Sequence, residues 1–262
     1  MGAGDEYQQL IRRSKIIMLN AKQSVRDLAL EIPGATRVFE KMGIDYCCGG
    51  AASLENACAS AGIETAEVVR ALDEVNQHQS PPNDFKDWQS APLSGLIHYI
   101  LNKHHVFTKL ELLRLDALLV KVCSAHAERH PELLGLQRLF KSLNEDLTPH
   151  MMKEERVLFP HIRRMEAALE IHEPMPAPPF MTVRNPVRMM SLEHDSAGEL
   201  LREMRHVSSD YTVPPDGCVS YQTLYQALQE FEEDLHRHIF LENNILFPRA
   251  VEMETKLLSS SK

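Results

Sequence analysis

The chain has 262 residues, 44% of them apolar and 25% charged, the balance of an ordinary globular protein of one or two domains. Lys plus Arg number 28 against 37 for Asp plus Glu, a net charge of −9, which argues against a nucleic-acid binder or a protein drawn to anionic lipid. No apolar run approaches the ~18 residues of a membrane span, no signal-peptide pattern opens the chain, and five cysteines are too few for a disulfide scaffold, so a cytoplasmic protein with reduced thiols is expected.

Residues 1–20 carry no assignable role. Ser24-Val25-Arg26-Asp27 reads as a helix start with its cap. Pro33 to Met42 is apolar at helical spacing and stops at Gly43, Ser53 to Ala61 stops at Gly62, and Thr65 to Gln77 follows. These segments are expected to form a small helical domain over residues 1–80, with Asp45-Tyr46-Cys47-Cys48-Gly49-Gly50 inside it. Pro81, Pro82 and Pro92 among polar residues mark a linker over 81–92.

From 93 to 262 the apolar period is helical throughout. Four long helices are expected, at about 93–128, 131–170, 186–207 and 220–256, with Asn185 and Ser220 as caps. Pro149, Pro160 and Pro248 fall inside them and should kink or end them. The reading is an all-α protein, an antiparallel four-helix bundle preceded by a small helical domain.

The chain repeats itself within the bundle. His150-Met-Met-Lys-Glu154 leads into Leu158-Phe159-Pro160, and His238-Ile-Phe-Leu-Glu242 leads into Leu246-Phe247-Pro248, 88 positions on. Upstream of each lies a further histidine before Glu-Leu-Leu-Arg: His105 before Glu111, and His194 before Glu199. Residues four apart share a helix face, so each His-x3-Glu offers an imidazole and a carboxylate to one place. Four histidines and two glutamates buried together need cations to offset their desolvation. Two octahedral ions offer roughly twelve positions, of which these side chains fill about eight, so the site is open rather than closed. His104 beside His105 leaves that ligand ambiguous by one residue; the spacing between paired histidines favours His105, and helical periodicity does not decide. His98 lies on the face of His105 and is a candidate neighbour of the site. Glu155, Glu193 and Asp195 read as solvated or as outer partners. His126, His130, His206 and His236 read as surface residues, and Cys58, Cys123 and Cys218 as structural.

With these motifs on the page, the chain from about residue 24 to residue 252 resembles the repair-of-iron-centres family. The stretches that carry the likeness are Asp45-Tyr46-Cys47-Cys48-Gly49-Gly50, Glu193-His194-Asp195-Ser196-Ala197-Gly198-Glu199 and Leu241-Glu242-Asn243-Asn244. The resemblance implies a hemerythrin-like bundle and two iron ions per chain, carboxylate- and oxo-bridged. The metal set it implies is His105, His150, Glu154, His194, His238 and Glu242. Histidine and carboxylate donors by themselves leave iron, manganese and zinc open. The function implied is repair of iron–sulfur clusters damaged by nitrosative or oxidative stress, by donating iron. Its partners would be damaged iron–sulfur proteins or a cluster-assembly scaffold, with nitric oxide or dioxygen as small ligands. A carrier or scavenger of those gases, a nitric oxide reductase and a homodimer all stay open. Cys47 and Cys48 are suited to thiol transfer; the alternative is that they only pack.

Overall fold

In the computed structural model the described residues are 20–78, 88–171, 173 and 178–260. Nearly all of the expected extension at 1–20, most of the expected linker, and Pro174 and Pro176 lie outside them. The chain divides into two compact units. One is built before Ile44 and resumes at Ala51; the other takes Asp45–Gly50 together with everything described after the linker.

Among the described residues the first unit contains four short helices: α1 Val25–Glu31, α2 Ala35–Lys41, α3 Leu54–Ala61 and α4 Thr65–His78. Ser24 and Ser53 start α1 and α3 by accepting the backbone N–H of Asp27 at 3.0 Å and of Asn56 at 3.3 Å. Gly43 and Gly62 end α2 and α3 with φ of 63° and 70°, a region that glycine enters without penalty. Leu28, Ile32, Phe39, Leu54 and Leu72 form its buried core.

The second unit holds the four long helices. They are α5 (residues 93–126), α6 (132–171), α7 (Arg184–Val207) and α8 (219–260). Helix α5 packs on α6 and α8, and α6 on α7. Leu115, Leu119, Phe140, Leu143, Leu201, Leu228 and Phe231 fill the interior, with Phe140 and Phe231 meeting edge to face at 6.1 Å.

The two hairpins are capped in the same way. Glu166 on α6 accepts the N–H groups of Leu93 and Ser94 at the start of α5, at 2.6 and 2.8 Å. Glu254 on α8, also 88 positions further on, accepts the N–H of Val183 before α7 at 2.7 Å. Each carboxylate meets the positive end of its partner helix. The start of α7 is therefore set by Glu254, two residues before the expected cap at Asn185, and α8 starts behind Cys218 rather than Ser220.

The internal prolines do not end the helices. Helix α6 passes through Pro149 in α-helical form, and a π-helical turn, Glu154–Leu158, precedes Pro160. A second such turn, Glu242–Leu246, precedes Pro248, and a third, Ile100–His105, lies in α5. The wider turn accommodates a proline, which has no N–H to give to the ordinary ladder.

Candidate metal centre

All three π-helical turns contain residues singled out by the repeat. Such turns mark functional sites in helices because they re-aim side chains. His105 ends one turn, and Glu154 and Glu242 begin the other two. The six side chains His105, His150, Glu154, His194, His238 and Glu242 meet in the bundle interior, none more than 2% exposed.

Their atoms fall into two overlapping groups. His105, Glu154, His238 and Glu242 make one, and His150, Glu154, His194 and Glu242 make the other. Both glutamates belong to both groups, as bridging carboxylates must. Glu242 Oε1 lies 3.0 Å from His238 Nε2, and its Oε2 lies 3.2 Å from His194 Nε2. Glu154 Oε2 lies 3.4 Å from His105 Nε2 and 3.5 Å from His150 Nε2.

The imidazoles face each other in pairs. Nε2 of His105 is 3.1 Å from Nε2 of His238, and Nε2 of His150 is 3.0 Å from Nε2 of His194. Three of the four rings spend Nδ1 on an outer partner. His105 Nδ1–H donates to Glu155 at 2.7 Å, His150 Nδ1–H to Glu193 at 2.8 Å, and His194 Nδ1–H to Asn243 Oδ1 at 2.9 Å. The lone pairs of the Nε2 atoms are thereby left to confront one another, unless a cation lies between them. Two ligand nitrogens at right angles, each about 2.1 Å from a metal, sit about 3.0 Å apart, which is the spacing found. Both oxygens of Glu154 and Oε2 of Glu242 are buried without a hydrogen-bond partner. The donor set thus fits a pair of metal ions.

The electrostatics of the cavity show the same demand for positive charge. Burial acts to lower the His105 pKa, but the facing carboxylates of Glu154 and Glu242 outweigh it and push it up to about 10. His194 behaves alike, mainly through Glu242, and reaches about 9. Burial would raise the Glu242 carboxyl, but His238, His105 and His194 hold it well below the usual carboxylate range.

Other residues singled out by the sequence lie around these six or away from them. Glu155 and Glu193 are outer partners, and Lys109 and Lys153 hold them in turn. The hydrogen bond from His150 draws Glu193 down to about 2. His98 is exposed and bonded to Asn102, away from the centre. His126 is buried rather than on the surface, 3.1 Å from Cys218, which is exposed. His104 is as buried as His105, because the widened turn brings both neighbours inward; it pairs through Nδ1 with Asp234 at 3.0 Å and stacks on His238. Asn243 was missed, although it occupies the position of Glu155 in the second repeat and could have been found there.

Cys47 and Cys48 lie against the bundle, not among the helices that flank them in sequence. Asn244 Nδ2 donates to Cys47 O at 3.2 Å, and Asn243 Nδ2 does so at 3.4 Å. The Cys48 thiol donates to His194 O at 3.6 Å, and Tyr46 packs on Phe240 at 5.5 Å. Asn243 therefore touches both a histidine of the centre and the thiol motif.

Comparison with known proteins agrees with this architecture. Residues 96–250 match the hemerythrin HHE cation binding domain, and residues 21–76 match a domain of unknown function, DUF542. The chain is 35% identical over 231 residues to a probable iron–sulfur cluster repair protein of Haemophilus influenzae, covering 88% of this chain and 97% of that one. The chain belongs to the repair-of-iron-centres family. It is also 37% identical over 229 residues to the iron–sulfur cluster repair proteins YtfE of Escherichia coli strain UMN026 and of Shigella boydii, in each case covering 87% of this chain and 96% of the relative. Membership covers both parts of the chain, since the family's two matching regions lie on either side of the linker. Among the described residues no helix is long and apolar enough to cross a membrane.

Proposed function

We propose that the protein repairs damaged iron–sulfur clusters and that its bundle holds two iron ions for the purpose. One ion would be held by His105 and His238 and the other by His150 and His194, with Glu154 and Glu242 bridging them. The observation that carries this reading is the sharing of both buried glutamates between two histidine pairs at ligand spacing. The names of relatives that span nearly their whole length on this chain support the choice of iron and of repair.

In this reading the chain's own groups fix the donors. Glu155 and Glu193 orient two imidazoles through Nδ1 and make them better donors, and Lys109 and Lys153 offset the added negative charge. The apolar interior excludes water from the carboxylates. Bound there, the ions supply iron that can be given up to a damaged cluster, and coordination positions open to nitric oxide or dioxygen. Cys47 and Cys48 would act in thiol transfer between the bundle and a client, in a cytoplasmic stress response. The helices within residues 1–80 form a domain of their own, with the thiol motif lent to the bundle that follows the linker.

The test is reconstitution. Purified protein, analysed for metal, should hold two irons per chain, with the near-ultraviolet absorption of an oxo-bridged ferric pair. Added to an iron–sulfur enzyme inactivated by nitric oxide, it should restore activity faster than an equal amount of free iron. Loss of repair in a folded, iron-loaded Cys47→Ser, Cys48→Ser variant would place the thiols in the transfer. One zinc and no iron after growth with ample iron would refute the reading.

A further inference from the structure

A second group of metal-ligating side chains lies outside the bundle centre. Asp45, Cys47 and Cys48 bring a carboxylate oxygen and two sulfurs together, every one within 4.8 Å of the others. The sulfurs are 3.8 Å apart, far from the ~2.05 Å of a disulfide. Cys47 Sγ is 3.4 Å from Asp45 Oδ1. A tetrahedral ion with metal–sulfur bonds of about 2.3 Å and a metal–oxygen bond of about 2.1 Å sets its ligands about 3.8 Å apart for two sulfurs and about 3.6 Å for sulfur and oxygen. The two edges found here, 3.8 and 3.4 Å, are within about 0.2 Å of those of such a site.

The arrangement is held from several sides. Asp45 Oδ1 accepts the backbone N–H of Cys47 at 3.1 Å and of Cys48 at 2.9 Å, which fixes the carboxylate over the thiols. At Gly49 a Cβ would come within 3.2–3.3 Å of the Asp45 carbonyl and carboxylate, so a bare backbone makes room for that carboxylate. Asn244 and Asn243 hold the Cys47 carbonyl to α8. The Cys47 thiol does not ionise readily here: the hydrogen bond with Cys48, burial and the charge of Asp45 keep it well above the usual thiol range. A cation in place of the thiol protons would cancel that repulsion.

We infer that Asp45, Cys47 and Cys48 form a third metal site, separate from the bundle centre, that takes one thiophilic divalent cation with three protein donors and one open position. It is half exposed at Cys48, so an ion enters from solvent without passing through the core. An open position is the mark of a site that exchanges its ion or its outer ligand, whereas a structural site is closed by a fourth donor.

The probe is cobalt(II), added without oxygen to the full-length, iron-loaded protein. One cobalt per chain should bind and produce a thiolate-to-cobalt charge-transfer band, which histidine and carboxylate ligands do not give. Cys47→Ser and Cys48→Ser should each lose the band, Asp45→Asn should bind at least tenfold more weakly, and Cys218→Ser, which changes an exposed cysteine elsewhere, should match the parent. Circular dichroism and iron content, unchanged in the variants, show that the fold persists. No thiolate band, a band that survives removal of both thiols, or saturation at one cobalt per two chains would overturn the site. The oxo-bridged ferric absorption reports on the bundle centre and the thiolate band on this site, so the failure of either is read separately.

Discussion

Glu242→Ala distinguishes a bridging carboxylate from an outer partner. Glu242 is fully buried, and its two oxygens reach histidines of different groups, at 3.0 and 3.2 Å. Its removal takes a donor from both cation positions and leaves the imidazoles with one counter-charge fewer. Breaking a buried charged set by removing one member costs about 3–5 kcal/mol. At about 1.4 kcal/mol per decade, this is roughly two to three and a half decades of affinity at each position. Glu155 is the comparison, because of the six central side chains it touches only His105, and through Nδ1. Losing such an outer partner costs about 10–100-fold, at one position only. Under a chelator that the parent just withstands, Glu242→Ala should therefore lose both ions and Glu155→Ala should lose one. Metal analysis after dialysis, on variants shown to be folded, reads the difference. Equal losses in the two variants, or two ions retained in Glu242→Ala, would refute the bridging geometry.

His104→Ala should keep the metal content of the parent and His105→Ala should not, since His104 spends Nδ1 on Asp234 and belongs to neither group; metal analysis decides. Asn243→Ala removes the acceptor behind His194 and a donor to Cys47, so metal affinity should fall about 10–100-fold at one position, as competition with a chelator would measure. Metal-free protein should lose stability as pH rises. His105 and His194 are raised above their ordinary 6.5, so their contribution is complete below that value and disappears as pH passes about 9 and about 10. Thermal melts from pH 6 to 10 check the direction. For the same reason, loading metal near pH 7.5 should release about two protons per chain, visible by calorimetry in buffers of different ionisation heat.

The repeat made the bundle legible, because His-x3-Glu needs only the geometry of one helix to place two donors on one face. The four helices expected at 93–128, 131–170, 186–207 and 220–256 stand at 93–126, 132–171, 184–207 and 219–260. The π-helical turns were not legible. Two of them combine a proline's missing N–H with local packing and the aim of one side chain, the third lies in a stretch without proline, and no residue pattern encodes them alone. That is also why His104 and His105 could not be told apart by period: both sit in the wide turn at Ile100–His105, and both are buried there. The docking of the thiol motif could not be read either. Cys47 and Asn244 are 197 positions apart, and their contact depends on how the chain closes, not on what either segment prefers locally.

The outer partners also follow the repeat, with one exception. Glu155 behind His105 corresponds to Asn243 behind His194, each one residue beyond its bridging glutamate. Glu193, behind His150, corresponds to His104, one residue before a ligand in each case. His104 cannot accept as a carboxylate does; it turns to Asp234 and offers His238 only its ring face, and Nδ1 of His238 has no acceptor. An imidazole without an acceptor at its back is the poorer electron donor. The near-symmetry of the repeat is thus broken at one place: His238 alone of the four histidines has no partner for its Nδ1.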